Sequence, residues 1–132
     1  MRITFLGTGS AMPTGERFQT GLLLQSGDDR LLVDCGSGVI HGLAQTNVGY
    51  EHVDTLLLTH HHLDHVSDIM PLLKARWLDG QESMTILGPE GTPQLIRDLL
   101  DVHEYMQGRL DLTLRTVGPT DGDEYHEIAG FD

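Results

Sequence analysis

At 132 residues the chain has the size of one domain, with no length left for a second core. Asp and Glu number 20 against 8 Lys and Arg, a net charge of −12 in which Lys74 is the only lysine; such a surface repels phosphate backbones and excludes broad nonspecific nucleic-acid binding at low ionic strength. The same balance fits a halophilic protein solubilised by water and cations. A single cysteine, Cys35, excludes an internal disulfide. With no basic-then-apolar leader over residues 1–10 and no long apolar run, the chain reads as cytoplasmic, with no membrane partner.

In chain order, residues 2–6 form a short apolar strand that breaks at Gly7, Thr8 and Gly9, a run read as a tight turn rather than a phosphate loop. A second strand over 20–25 passes through a turn at Gly27, Asp28 and Asp29 into a third over 30–34. Residues 38–46 are a helix candidate. Residues 53–59 make a strand, and 67–78 a helix that tolerates Pro71 only in its first turn. A strand over 84–87 precedes an amphipathic helix over 92–106 with Leu95, Leu99 and Val102 on one face. Residues 110–117 alternate as a half-buried strand does, 120–124 form a turn, and 125–131 open another strand. Strands alternating with helices after an N-terminal hairpin predict an α/β layered domain.

The densest chemistry is His60, His61, His62, Leu63, Asp64 and His65, reading H-x-H-x-D-H at the end of the strand over 53–59. Imidazole nitrogen with carboxylate oxygen suits zinc, and manganese or iron less well. Side chains two apart on an extended segment share a direction, so His60 and His62 grip one ion while His61 points elsewhere and its removal is mild. Asp64 and His65 fall past the turn, placed for a second ion. Asp34 ends a strand, where its carboxylate either holds an imidazole N–H in one tautomer or caps the turn at Gly36 to Gly38. His41, His52 and His103 read as surface or helix-end histidines and Trp77 as core.

Three segments together resemble the metallo-β-lactamase superfamily in its ribonuclease Z-like branch: Thr4-Phe-Leu-Gly-Thr-Gly-Ser-Ala-Met-Pro, Leu32-Val-Asp-Cys-Gly, and Thr59-His-His-His-Leu-Asp-His. The resemblance implies that residues 1–132 are the N-terminal half of a four-layer αβ/βα sandwich, cut before its C-terminal half. It also implies two zinc ions, one on His60 and His62 and one on Asp64 and His65. A hydroxide held between them would attack an ester, with Asp64 both ligating and orienting it.

Departures from the family pattern bear on substrate. The P-x-K-x-R-N loop that helps receive the tRNA 3′ region keeps Pro13 and Arg17 but has Gly15 and Phe18 for its lysine and asparagine, and Leu63 replaces a glycine. These changes move weight from tRNA 3′ processing toward another small ester or phosphodiester. A third histidine and a bridging aspartate for the metals are not met before Asp132, and His126 reads as a surface residue. Two classes follow. One is a dinuclear zinc hydrolase, most simply a phosphodiesterase or a ribonuclease Z-like enzyme acting on RNA, with lactone, thioester and sulfate esters as alternatives. The other is a metal-binding fragment or interaction module without catalysis. On either reading the chain alone is expected to be inactive and, with an uncovered sheet face, a homo-oligomer.

Overall fold

The computed structural model describes residues 1–118 and 127–131. Among these residues, six strands form one sheet in the order β1-β2-β3-β4-β5-β6. β1 (Arg2–Gly7), β2 (Gly21–Ser26) and β3 (Asp29–Val33) are antiparallel; β4 (Thr55–Leu57), β5 (Ser83–Gly88) and β6 (Asp111–Thr116) continue the sheet in parallel. The hairpin between β2 and β3 turns on Gly27 and Asp28 alone, since Ser26 already pairs with Asp29. Positive φ at Gly27 (60°), and not at Asp28, matches the turn type that suits the strands' twist. Parallel pairing requires crossovers, and these are α1 (Val39–Ala44), α2 (Leu63–Val66) with α3 (Ile69–Leu78), and α4 (Thr92–Val102).

Register divides the side chains between two faces. Leu23, Leu32, Leu56 and Ile86 are paired across four strands and fully buried, and they meet Val39 and Leu43 of α1, Ile69, Leu72 and Leu73 of α3, and Ile96 of α4. Each such leucine or isoleucine contributes about 1.5–3 kcal/mol by leaving water. The next row, Phe5, Leu22, Val33, Leu57 and Leu87, lies on the opposite face. There Ile128 and Phe131 pack over Leu31 and Leu87, while Ile3 and Phe5 remain 49% and 68% exposed. Both faces are apolar but, among the described residues, only one carries helices, as expected for one half of a layered sandwich. No helix among the described residues is long and apolar enough to cross a membrane.

Several expected boundaries shift. The strand over 53–59 is only three residues long: Val53 N–H turns back to the Tyr50 carbonyl before it, and past its end Thr59 N–H turns to the Asp34 side chain. The helix over 67–78 begins at Ile69, which puts Pro71 in its first turn. The four-residue α2 before it was not expected. α4 stops at Val102, where His103 adopts φ −101° and ψ 55°, and a 3₁₀ turn over Glu104–Met106 follows. Val102 is therefore 76% exposed, and the buried residues of that helix are Thr92 and Ile96. Residues 127–131 form a turn in which Ile128 and Phe131 bond each other in both directions, with φ positive at Ala129 and Gly130, in place of a strand. The turn over 120–124, the start of the strand over 125–131, and His126 lie outside the described residues. Trp77 is half-buried rather than core, with Lys74 and Arg109 5.1 and 5.2 Å from its ring centre.

Candidate metal centre

β3 and β4 run in parallel, so their C-terminal ends emerge side by side and bring Asp34 next to Thr59 and the histidine run. Segment 34–36 then fastens to α2. Cys35 N–H donates to the His65 carbonyl at 2.7 Å, and Asp68 N–H donates to the Cys35 carbonyl at 2.9 Å. Gly36 permits this approach, because a Cβ there would lie 2.0 Å from the Asp64 carbonyl oxygen. The helix bearing Asp64 and His65 is thus stapled to the strand end bearing Asp34.

Asp34 is 2% exposed and adopts φ 62°, a left-handed conformation that costs a non-glycine residue about 1 kcal/mol and tends to persist where function requires it. Its Oδ1 accepts from Thr59 N–H at 2.8 Å; its Oδ2 accepts from Thr59 Oγ1 at 2.7 Å and from His65 Nδ1 at 2.8 Å. The carboxylate donates nothing, so the single hydroxyl hydrogen of Thr59 is committed to it. Thr59 Oγ1 must then accept from His60 Nδ1, 2.9 Å away. One buried carboxylate in this way sets two imidazoles: His65 directly and His60 through Thr59 both carry hydrogen on Nδ1 and leave Nε2 as a lone-pair donor. The alternative role of Asp34, capping the turn at Gly36 to Gly38, belongs to Asp68, whose Oδ2 accepts from Gly38 and Ile40 N–H at 2.9 and 3.1 Å.

His62 is extended (φ −63°, ψ 147°) and precedes α2, which carries Asp64 and His65. The His60 ring lies 4.6 Å from that of His62 and 4.1 Å from that of His65. Asp64 Oδ2 is 3.3 Å from His65 Nε2. The carboxylate oxygen and the imidazole nitrogen thus present two potential metal donors to the same space. The donor set of neutral imidazole nitrogens beside a carboxylate fits zinc. Among the described residues, no three His, Cys, Asp or Glu side chains are grouped about one ion position.

His61 points away from these rings, to Thr92 at the start of α4. Pro13 and Arg17 lie on an exposed loop and, with Phe18, Gln19 and Ser37, line a cavity of about 350 Å³. A larger cavity of about 560 Å³ lies between α3 and α4 and reaches the motif only at His61 and Leu63. His41, His52 and His103 are exposed. Sequence reasoning missed Thr59, Thr92 and Gln19, whose Oε1 accepts from Ser37 N–H and Ser67 Oγ. Thr59 was visible as the hydroxyl adjoining the motif. Gln19 carried no signal.

A family model described as Anti-Pycsar protein Apyc1 matches residues 1–111. The ribonuclease Z of Mycolicibacterium gilvum (strain PYR-GCK) is 35% identical over 109 residues, covering 80% of this chain and 38% of its own length. Among solved structures, the metallo-beta-lactamase fold protein YhfI of Bacillus subtilis superposes with TM-score 0.68 at 30% identity, and human tRNase Z, short form, with TM-score 0.77 at 26% identity. Each covers 89% of this chain and 45% of its own. The chain thus spans less than half the length of the relatives it matches.

Proposed function

From the premise that this chain belongs to the Apyc1 family, in the ribonuclease Z-like branch of the metallo-β-lactamase superfamily, we propose that it carries the metal-gripping half of a dinuclear zinc hydrolase acting on phosphodiesters. The observation that supports this most directly is the Asp34 network, which leaves Nε2 of His60 and His65 free toward His62 and Asp64. His60 and His62 would hold one ion, and Asp64 and His65 the other. Zinc there would supply Lewis acidity and an activated water near neutral pH. Asp64 would hold metal through one carboxylate oxygen and could orient water through the other, a task a fourth imidazole could not share. Asp34 holds the His65 proton on Nδ1 throughout.

Ribonuclease Z relatives support RNA as one phosphodiester substrate. Gly15 and Phe18, in place of a lysine and an asparagine on the loop that keeps Pro13 and Arg17, support a smaller one. The apolar row ending in exposed Ile3 and Phe5 supports self-association, or cover by a second sheet. On this reading the 132 residues by themselves bind metal weakly and do not turn over substrate, since two donors per ion fall short of the three that a catalytic zinc takes.

The test is zinc stoichiometry and bis-nitrophenyl phosphate hydrolysis by the whole protein that carries this sequence. His60→Ala or His62→Ala should lower bound zinc and reduce turnover by at least about a hundredfold. A His62→Ala protein that keeps full zinc and full turnover ends the assignment.

A further inference from the structure

We propose that His61 and Thr92 are a positioning pair, fixing the direction in which the flanking His60 and His62 face; the pair rests on the metal-centre reading above. His61 is the one histidine of the run that the ligand set does not use, yet its Nε2 lies 2.7 Å from Thr92 Oγ1. Thr92 is fully buried. It opens α4 without capping it: the cap position is Gly91, at φ 93°, and no side chain closes the helix start. The threonine hydroxyl, which at a helix start ordinarily serves the helix's own N–H groups, goes to the histidine instead.

The surroundings hold that hydroxyl in place. A Cβ on Gly88 would lie 2.3 Å from Thr92 Oγ1, so the glycine that ends β5 leaves room for this oxygen and for nothing larger. Leu58 N–H donates to the Leu87 carbonyl at 2.8 Å, which keeps the approach to the histidine run on β5. The run is therefore anchored on both sides. Toward β3, Thr59 gives its N–H and its hydroxyl to Asp34; toward α4, His61 binds Thr92. Side chains alternate along an extended segment, so locking His61 on one side sets the opposite direction for both neighbours. Without this second anchor, His60 keeps its contact to Thr59 while His62 has no hydrogen bond of its own among those described between side chains. Position 61 is then occupied by a working residue, and its removal is not mild.

The experiment uses the whole protein with three substitutions: Thr92→Val, which keeps shape and removes the hydroxyl; Thr92→Ser, which keeps the hydroxyl; and His61→Phe, which keeps a ring without nitrogen. Zinc affinity is measured by competition with a chelating dye, and the ring nitrogens of His60 and His62 are followed by NMR in the metal-free protein. Thr92→Val and His61→Phe should weaken zinc about tenfold, the lower range for groups that orient metal ligands. They should also broaden or split the His62 ring signals, lower kcat and leave KM unchanged. Thr92→Ser should restore all of these. Wild-type zinc affinity and an unchanged His62 spectrum in Thr92→Val would overturn the pair, as would equal defects in Thr92→Val and Thr92→Ser. A lowered melting temperature with unchanged affinity and spectrum assigns Thr92 to packing and also overturns it. If the wild-type protein takes no zinc, the hydrolase reading fails, while the histidine spectra still decide the pair.

Discussion

Asp34 and Arg76 are both withdrawn from water, at 2% and 3% exposure, and each makes three hydrogen bonds, yet they serve different ends. Asp34 takes a backbone N–H and a hydroxyl from Thr59 and a ring nitrogen from His65. Arg76 gives Nη1 to the Tyr50 and Glu51 carbonyls at 3.0 Å each and Nη2 to the Ser83 carbonyl at 2.8 Å. Its partners are all main chain and end where they begin, tying the loop before β4 to the start of β5. Burial pulls the Arg76 pKa down, and the carboxylates of Asp54, Asp79 and Glu51 oppose that pull. Burial of a charge is therefore no mark of function by itself. The mark is a partner list that leads outward to side chains with unused donor capacity.

The largest expected effect comes from emptying the Asp34 position. Asp34→Ala leaves three donors facing a cavity and should cost about 3–5 kcal/mol in urea unfolding, the range for removing one member of a buried charged set. Asp34→Asn is the sharper probe. The amide is nearly isosteric, so much of the stability is retained; because Thr59 N–H can only donate, the amide oxygen takes the Oδ1 place and the NH₂, which accepts nothing, faces Thr59 Oγ1 and His65 Nδ1. One imidazole must then move its hydrogen to Nε2, and zinc affinity should fall by about 10–100-fold. If Asp34→Asn weakens folding and leaves zinc affinity intact, Asp34 belongs with Arg76 as a structural tie.

Arg76→Met is the converse. Three backbone carbonyls lose their donor, each worth about 1 kcal/mol or somewhat more to a charged partner, so a loss of about 2–4 kcal/mol is expected. The flexible thioether chain refills part of the volume. Zinc affinity should not change, because no Arg76 hydrogen bond reaches residues 59–65. An Arg76→Met protein that folds normally but binds metal poorly would contradict the division between the two residues.

The two residues were also unequally legible. The place of Asp34 followed from a strand ending in Asp-Cys-Gly beside a strand ending in histidines, a local pattern that parallel pairing makes spatial. Arg76 carried no local signal, since the loop carbonyls it serves are 25 and 26 residues away in sequence. The same divide runs through the fold. The hairpin of β2 and β3 and the sheet's alternation were readable because turn chemistry and period are local. The break between α2 and α3 was not, because Asp68 leaves its own helix to serve Gly38 and Ile40. Val102 kept the helical period of Leu95 and Leu99, but α4 had already run past the core it covers.

The smallest expected effect reads the surroundings of Asp34 through its neighbour. Cys35 is fully buried, and burial first, then the charges of Asp68 and Asp34, raises its thiol pKa well above the ordinary value. The sign follows from proton counting. Below the unfolded thiol's pKa, about 8.5, both states keep the proton and stability is unaffected by it. Above that pH the unfolded chain releases the proton while the native chain retains it, so native stability declines. The decline from this one thiol approaches about 1.4 kcal/mol per pH unit until the native pKa is reached. Urea unfolding between about pH 8 and 10 should therefore fall more steeply for the wild type than for Cys35→Ala, whatever the cavity costs the variant near neutral pH. Parallel pH profiles would mean that the thiol ionises alike in both states. Burial, the first cause of the shift, would then weigh less than the fully buried position of Cys35 implies.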